Sequence, residues 1–361
     1  MKKPILVLLL ICFGNASSFA QFPRVDIPGS QVRKLNSAIV NQEYELHISL
    51  PNGYNSSNKK YPVLYLMDSQ WDFPLVKSIY GQQYYDGFIP ELIIVGITWG
   101  GTDPKADSLR ARDYTPTHEL PFKQSGGADN FLSFMNDELF PFIEANYKAG
   151  KEDRVLMGCS FGGLITLYAL FTHTEMFSGY IAASPAVEWN KGVLYNFEKK
   201  FSGKRDLKPQ RVYMTVGEVE FSRPAYEKFA ELMISRNYPA VSIRSKILEN
   251  TGHSGTKAET YSRGLQYIFE RPRLEPGNAL LDKYAGIYES ANKNKIELKN
   301  EEGKLVLYGA GRNKYVLYAA GETDFYSTFE FLNIHFETDG EKINGFQLKR
   351  YGGTEFLKKI E

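Results

Sequence analysis

A serine flanked by glycines lies where an apolar run meets a helical pattern. The run at 155–157 predicts a strand, and the apolar residues at 164–170 predict a buried helix. Between them, Gly-Cys-Ser-Phe-Gly at 158–162 fits the pattern G-x-S-x-G, whose glycines let a strained turn hold a serine hydroxyl above a sheet. This spacing predicts that Ser160 is a nucleophile. Cys159 is a second nucleophile by residue type, but its place in the turn favours a small packing residue.

Three histidines follow Ser160 in the chain, and one of them suits a catalytic base. A serine hydroxyl attacks only when a base takes its proton and a third group orients that base. In α/β enzymes whose serine lies in such a strand-to-helix turn, the acid and then the histidine follow the serine along the chain. His173 lies on the helix side of the turn and His335 belongs to the C-terminal part, whereas His253 lies in a glycine-flanked loop of the α/β part. We therefore predict that His253 is the base.

Two glutamates follow a predicted strand that lies between Ser160 and His253 in the chain. The sequence predicts a strand at 211–217, and Glu218 and Glu220 come directly after it. If the strand ends at Gly217, residues from the third position after it can reach over the strand end toward the histidine. This favours Glu220, which is at that third position. Glu218 remains the alternative for the orienting acid.

Backbone N–H groups near the serine are candidates for an oxyanion hole. Two preorganised donors are needed, and loss of one typically lowers the rate by about 10²–10³. The N–H of Phe161 follows the serine and is the first candidate. The second is expected from the loop at 68–70, which follows the apolar residues 64–67.

The elements that must position these groups alternate between strands and helices. This order predicts a mainly parallel sheet with helices on both faces and reacting groups at the carboxyl ends of the strands. The predicted strands span 44–51 as an edge strand, 61–68, 92–97, 154–158, 178–185, 211–217 and 241–248. The clearest helices are predicted at 130–147 and 224–236.

A proline-rich stretch separates the α/β part from a different C-terminal pattern. We predict an α/β domain over 21–270, a linker at 271–279 and a small all-β domain over 280–361 whose role is unclear. The short strands predicted in the last part span 295–298, 304–308, 314–318, 329–336 and 345–349.

The N-terminus has the pattern of a secretory signal. Basic residues at 2–3, an apolar core at 5–13 and small residues before Gln21 predict a signal peptide over 1–20 and an exported protein, periplasmic or extracellular. The apolar core is too short to span a bilayer, so no stable membrane insertion is predicted. Cleavage leaves Cys159 as the remaining cysteine and hence no internal disulfide.

The composition narrows the classes of partner. The chain has 43 Lys and Arg against 42 Asp and Glu, without a long run of either sign, so no nucleic-acid partner is predicted. We predict neither a cofactor nor a metal ion.

Trp71, Trp99 and Trp189 are predicted in loops at strand ends, where they suit an aromatic acyl group or a sugar face, or simply pack the loops. The sequence does not specify an oligomeric state.

Over roughly residues 35–270 the chain resembles the esterase family of α/β-hydrolases that includes esterase D, feruloyl and acetylxylan esterases, siderophore esterases and the mycolyltransferase antigens. The segments that carry the resemblance are Tyr-Pro-Val-Leu-Tyr-Leu-Met-Asp at 61–68, Arg-Asp-Tyr-Thr-Pro at 112–116, Gly-Gly at 126–127 before Phe131, Gly-Cys-Ser-Phe-Gly-Gly at 158–163, Ser-Pro at 184–185 with Trp189-Asn190, and Gly-Glu-Val-Glu at 217–220. Residues 281–288 and 303–307 resemble a small β domain found after some secreted bacterial hydrolases.

The resemblance implies an α/β-hydrolase fold with Ser160, Glu220 and His253 as the triad. It also implies that the backbones of Gln70 and Phe161 form the oxyanion hole. The function expected from it is a secreted serine ester hydrolase that forms an acyl-enzyme on feruloyl or acetyl esters of polysaccharide, or on siderophore esters. An acyltransferase on the same scaffold and a non-catalytic protein that binds carbohydrate or a partner are the alternatives.

Overall fold

The computed structural model describes residues 26–309 and 314–361. The predicted signal peptide at 1–20 therefore lies outside the described residues. Within them, the strands form two separate sheets, one open with eight strands and one closed into a barrel.

The open sheet is mainly parallel and has the strand order β1-β2-β4-β3-β5-β6-β7-β8. Its strands are β1 Ser30–Ser37, β2 Gln42–Ser49, β3 Tyr61–Leu66, β4 Ile93–Trp99, β5 Ala149–Cys159, β6 Gly179–Ala183, β7 Gln210–Gly217 and β8 Val241–Leu248. β2 pairs antiparallel with β1 and β4, and every other neighbouring pair is parallel. The predicted α/β-hydrolase fold is confirmed.

The central strands form from continuous apolar runs. All seven residues of β4 and all five of β6 are buried. Parallel strands that are covered by helices on both faces must be apolar on both sides. The prediction that 44–51 is an edge strand is wrong, because β2 lies between β1 and β4. β1 is largely exposed and shows little apolar pattern, which is why the sequence did not indicate it.

Helices cover both faces of this sheet. They are α1 Ser69–Tyr85, α2 Ala106–Tyr114, α3 Ala128–Phe134, α4 Phe140–Asn146, α5 Phe161–Thr172, α6 Trp189–Gly192, α7 Leu194–Phe201, α8 Arg223–Ser235 and α9 Thr256–Ile268. A further helix, α10 Asn278–Tyr284, precedes the barrel and packs in its core. A π-helical segment at Met135–Leu139 joins α3 to α4, so the helix predicted at 130–147 is one continuous body. Short 3₁₀ turns occur at Tyr54–Ser56 and His253–Gly255.

Two apolar cores lie on opposite faces of the sheet. Alternate residues of β3 divide between them: Val63 and Tyr65 pack with α3, α4, α5, α7 and α8, whereas Leu64 and Leu66 pack with α1 and α9. Successive side chains of a strand point to opposite faces, so this division fixes which helices share a face. α1 and α9, which begin beside the candidate site, are neighbours.

The C-terminal part is a closed antiparallel barrel of eight strands. They are β9 Gly286–Ser290, β10 Lys295–Glu301, β11 Lys304–Tyr308, β12 Lys314–Ala319, β13 Asp324–Ser327, β14 Leu332–Asp339, β15 Lys342–Arg350 and β16 Gly353–Lys359. The predicted all-β unit is confirmed, but β9, β13 and β16 were missing from the prediction because they are short or mostly exposed.

Aromatic side chains fill the interior of the barrel. The ring centroids of Tyr288 and Phe346 are 4.6 Å apart, and those of Tyr284 and Phe336 are 3.8 Å apart. Leu281 and Tyr284 of α10 belong to the same core. The interior is therefore a packed core.

The stretch predicted as a linker is anchored on both sides. Arg271 donates a hydrogen bond of 2.9 Å to the carbonyl of Gly87, at the end of α1. The N–H of Leu274 donates to the carbonyl of Ala319 on β12, also at 2.9 Å. Residues 271–274 therefore hold the barrel against the α/β part.

The barrel contacts the edge of the sheet opposite the carboxyl ends of the parallel strands. Phe331 packs on Tyr84 near the end of α1, with ring centroids 4.5 Å apart. Lys349 of β15 donates to Glu91, just before β4, at 2.6 Å. Since β4 begins at this edge, the barrel lies far from the groups at the strand ends.

Candidate active site

Ser160 lies in a strained turn between β5 and α5. Its φ is 60° and its ψ is −117°, a conformation that residues other than glycine rarely adopt. The turn is tight because a Cβ on Gly158 would lie 2.5 Å from the backbone of Gly162, and one on Gly163 would lie 2.9 Å from Pro185. The serine is partly exposed at the carboxyl end of β5.

The structure brings Glu220 and His253 together. Nδ1 of His253 and Oε2 of Glu220 are 2.6 Å apart. His253 is half exposed, whereas the Glu220 side chain is only 3% exposed. β7 ends at Gly217 as predicted, and Glu220 reaches back over the strand end toward the loop that follows β8.

Glu220 is held as a carboxylate by several donors. The hydroxyl of Ser184 donates to Oε1 at 2.6 Å, and the N–H of Gly217 donates to the same oxygen at 2.7 Å. Burial alone would raise the pKa of Glu220, but the hydrogen bonds from Ser184, His253 and Gly217 outweigh it and hold that pKa below its usual value. An ionised Glu220 can fix the tautomer of His253 by accepting from Nδ1.

Glu218 has different partners. Its Oε2 accepts from the N–H of Asn250 at 2.9 Å, and its side chain is exposed. It stabilises the loop between β8 and His253 from the outside. The structure therefore separates the two glutamates that the sequence left open.

Ser160 and His253 occupy the same edge of the sheet. Among the described residues the serine hydroxyl makes no hydrogen bond with the imidazole. In enzymes without substrate this hydrogen bond is often long and shortens only in the substrate complex.

Two helix N-termini adjoin beside Ser160. Phe161 is the first residue of α5, and Gln70 is the second residue of α1. N–H groups in the first turn of a helix have no partner inside the helix and carry partial positive charge. A Cβ on Gly162 would lie 3.2 Å from the Cβ of Met67, so the two helix starts are in contact. This arrangement suits an oxyanion hole made by Phe161 and Gln70.

Charged side chains hold the first turn of α1. Asp68, in the left-handed region with a φ of 54°, receives two hydrogen bonds from Arg110, at 3.0 and 2.9 Å. Burial alone would lower the pKa of Arg110. The nearby charge of Asp68 and its hydrogen bonds with Arg110 have the larger effect, and they raise the pKa of the guanidinium above its usual value. Asp72 accepts from Lys257 at 2.6 Å and from Tyr261 at 2.7 Å. These contacts join α1 to α2 and α9.

Cys159 is a buried packing residue. Burial raises the pKa of its thiol to about 12, so the sulfur stays protonated near neutral pH. A protonated, buried thiol is a poor nucleophile, which agrees with the interpretation from the sequence.

The prediction that the three tryptophans lie in loops is wrong, because Trp71 and Trp189 lie in helices and Trp99 ends β4. Trp99 does not line a substrate pocket, since it is 3% exposed and donates to Asp113 at 2.7 Å. Trp71 lies in the first turn of α1 and is half exposed. Trp189 begins α6, is mostly buried and donates to Thr117.

An aromatic rim surrounds the start of α5. We give this name to Trp71, Phe122, Phe161 and Trp189. Phe161 and Trp189 have ring centroids 5.1 Å apart, and Phe122 lies 5.5 Å from each. The guanidinium of Arg110 lies 5.3 Å from the ring of Phe161 and 5.7 Å from that of Trp71. The guanidinium therefore makes cation–π contacts with two rings of the aromatic rim while it is hydrogen-bonded to Asp68.

Ser184, Arg110 and Phe122 all contribute to the site, but no role was predicted for them from the sequence. Ser184 was noted in a Ser-Pro pair, but its contact with Glu220 spans 36 residues of chain. Arg110 had no distinguishing sequence signal.

Within residues 26–309 and 314–361, no cluster of three His, Cys, Asp or Glu suits a metal ion. No helix in the same ranges is long and apolar enough to cross a membrane.

Residues 37–243 match the protein family described as Putative esterase. This chain belongs to that family. The matched range contains Ser160 and Glu220, and His253 lies ten residues beyond its end. Membership in the Putative esterase family confirms the resemblance and the prediction that the chain is a carboxylic ester hydrolase.

Proteins of similar sequence or structure cover much of the α/β part. The chain is 30% identical over 279 residues to ferri-bacillibactin esterase BesA of Bacillus subtilis, which covers 70% of this chain and 94% of the relative. It is 27% identical over 176 residues to the siderophore enterobactin esterase of Emericella nidulans, covering 44% of this chain and 58% of that one. An IroE-like serine hydrolase from Shewanella oneidensis superposes with a TM-score of 0.61 at 28% identity, over 67% of this chain and 80% of its own.

Proposed function

We propose that this esterase hydrolyses siderophore esters through a Ser160–His253–Glu220 triad. The observation that carries the proposal is the hydrogen-bonded pair of Glu220 and His253 at the same sheet edge as the strained Ser160. A nucleophile, a base and a carboxylate that orients the base are what acyl transfer requires. The chain order serine, acid, histidine is the one found on this type of fold.

The reaction follows from these positions. His253 takes the proton of Ser160 as the hydroxyl attacks the ester carbonyl, and the N–H groups of Phe161 and Gln70 stabilise the resulting oxyanion. The intermediate collapses to an acyl-enzyme, and the proton passes from His253 to the alkoxide leaving group. Water, deprotonated by His253, then releases the acid and restores Ser160. Glu220 remains ionised throughout and stabilises the imidazolium.

The surroundings of Ser160 support a siderophore ester as substrate. One relative is named as an esterase of ferri-bacillibactin and another as an esterase of the siderophore enterobactin. Catecholate siderophores present aromatic rings, which match the aromatic rim beside Ser160. Feruloyl esters also carry an aromatic ring, whereas acetyl esters do not.

Export of the enzyme is part of the proposal. Its support is the signal-like pattern at 1–20. An exported esterase would meet a ferric siderophore outside the cytoplasm.

The test is a comparison of three esters with a chain that begins at Gln21. We expect kcat/KM to be highest for an enterobactin-type trilactone, lower for methyl ferulate and lowest for p-nitrophenyl acetate. A feruloyl esterase would instead prefer methyl ferulate. An acyltransferase would transfer the acyl group to an added alcohol faster than to water.

Replacement of the nucleophile tests the triad. Ser160→Ala should abolish turnover of all three esters and leave the thermal unfolding profile close to that of the parent, because the hydroxyl is partly exposed and contributes little packing. Cys159→Ser is the matched neighbour and should retain most activity. Near-parental turnover by Ser160→Ala would refute the nucleophile assignment.

A further inference from the structure

A second hydrogen-bonded chain of serine, histidine and glutamate lies at the start of α1, the helix that carries the proposed oxyanion donor Gln70. Oγ of Ser69 is 2.8 Å from Nδ1 of His47, and Nε2 of His47 is 3.1 Å from Oε1 of Glu45. A carboxylate only accepts hydrogen bonds, so Nε2 carries the proton that faces Glu45. Nδ1 then accepts from the hydroxyl of Ser69. The proton positions are assigned from this network.

This chain is not a second active site. Ser69 is 1% exposed, so a substrate carbonyl cannot reach its hydroxyl. His47 is confined between Ser69 and the ring of Phe73, whose centroid lies 5.5 Å away. A nucleophile must be accessible to its substrate. The three residues are therefore suited to fixing a position and not to attacking an ester.

The position that they fix is the start of α1. Ser69 is the first residue of that helix and Gln70 is the second. Gly96 of β4 pairs with His47 of β2 in the sheet, and a Cβ on Gly96 would lie 2.1 Å from Oγ of Ser69. The glycine leaves the space in which the helix start lies directly on the sheet, next to His47.

We infer that Glu45, His47 and Ser69 are positioning residues that hold the N–H of Gln70 in the oxyanion hole. The inference rests on the proposed function, since it takes Ser160 as the nucleophile and Gln70 as an oxyanion donor. Asp68 and Asp72 tie the same turn to α2 and α9. The contact of Ser69 with His47 is the tie to β2.

A small displacement of this helix start has a large kinetic effect. Loss of an oxyanion donor lowers the rate by about 10²–10³, and a misplacement of about 1 Å can lower it by about 10². An interaction made mainly in the transition state lowers kcat when it is lost and leaves KM nearly unchanged. A purely structural role would instead lower the melting temperature and the fraction of active enzyme, without changing kcat per active site.

The first experiment is Ser69→Ala on the full chain, with p-nitrophenyl acetate as substrate. Active sites are counted by titration with a fluorophosphonate, so that unfolded protein does not enter kcat. We expect kcat per titrated site to fall by about tenfold to 10²-fold with KM within about twofold of the parent. Ser78→Ala is the matched control, because Ser78 is an exposed serine of the same helix, and both constants should stay at the parental values.

The second experiment changes His47 and keeps Ser69. Asn can offer a polar atom near the place of Nδ1 and Leu cannot, so His47→Asn should recover most of the kcat that His47→Leu loses. The double variant that combines His47→Leu with Ser69→Ala should have a kcat only slightly lower than either single variant. The reason is that both changes remove the same hydrogen bond, the one between Ser69 and His47. This arm also decides the question if Ser69→Ala does not fold.

Three outcomes overturn the inference. They are a parental kcat per titrated site in both Ser69→Ala and His47→Leu, an increase in KM at unchanged kcat, and fully additive losses in the double variant. Ser160→Ala is assayed alongside. If Ser160→Ala retains turnover, the proposed triad fails; if it is inactive while Ser69→Ala is parental, only the positioning role fails.

Discussion

At the scale of single residues, Glu218 and Glu220 lie in the same turn but have different hydrogen-bond partners. Glu220 points inward and contacts His253, Ser184 and the N–H of Gly217. Glu218 points outward and accepts from the backbone of Asn250. The donors to Glu220 keep it ionised despite burial, which is the state that an orienting acid requires.

The residue-scale prediction compares Glu220→Gln with Glu218→Gln. Glu220→Gln should lower kcat on p-nitrophenyl acetate by about 10³- to 10⁴-fold with little change in KM, because the imidazole is no longer held in the productive tautomer. Glu218→Gln shares the turn and controls for general damage to it, so its kcat should fall far less. A larger loss of kcat in Glu218→Gln would show that Glu218, and not Glu220, is the orienting acid. Activity in both variants would mean that another carboxylate orients His253.

At the scale of elements, helix glycines distinguish close packing from open surface. Gly264 lies in the middle of α9, where a Cβ would come within 2.6 Å of Ile181 on β6. Gly81 lies in α1, where an added Cβ would meet nothing within 4 Å. The first glycine lets α9 approach the sheet, and the second only lowers helix propensity.

The element-scale prediction is that the same substitution has opposite effects at these two positions. Gly81→Ala should raise the free energy of unfolding by about 0.5–1 kcal/mol through helix propensity and a less flexible unfolded chain. Gly264→Ala should lower it by about 1–3 kcal/mol, because overpacking displaces α9. Chemical denaturation of both variants measures the two changes. Destabilisation by Gly81→Ala would contradict the packing described for α1.

At the scale of the whole molecule, the barrel is packed on the α/β part. Phe331 precedes β14 yet belongs to the apolar core formed by α1 and α9. Arg271 and Lys349 add polar contacts to Gly87 and Glu91. The barrel thus contacts the last turn of α1, whereas the proposed oxyanion donor lies in its first turn.

The whole-molecule prediction compares two phenylalanines of the barrel. Phe331 is 7% exposed and Phe329 is 73% exposed. Phe331→Ala should lower the free energy of unfolding by about 3–5 kcal/mol, because it leaves a cavity against Tyr84. Phe329→Ala should have a much smaller effect. Both folded variants should keep the parental kcat on p-nitrophenyl acetate, and a loss of kcat in Phe331→Ala would show coupling between the barrel and the site.

The sequence by itself determined the fold class and the segments that meet at one edge of the sheet. Local sterics explain why: the glycines around Ser160 specify a tight turn, and continuous apolar runs specify parallel strands whose carboxyl ends lie together. The position of Gly217 at the end of β7 also placed Glu220 over the strand end.

Tertiary structure alone decided which side chains face one another across the sheet. The sequence predicts Trp99 in a loop at a strand end, but Trp99 lies in the core, since the length of β4 and the position of Asp113 determine its burial. His47 and Ser69 are separated by 22 residues, and their contact depends on the register of β2 with β4. A hydrogen bond between distant segments depends on the packing of several elements at once, so no local pattern of residue types records it.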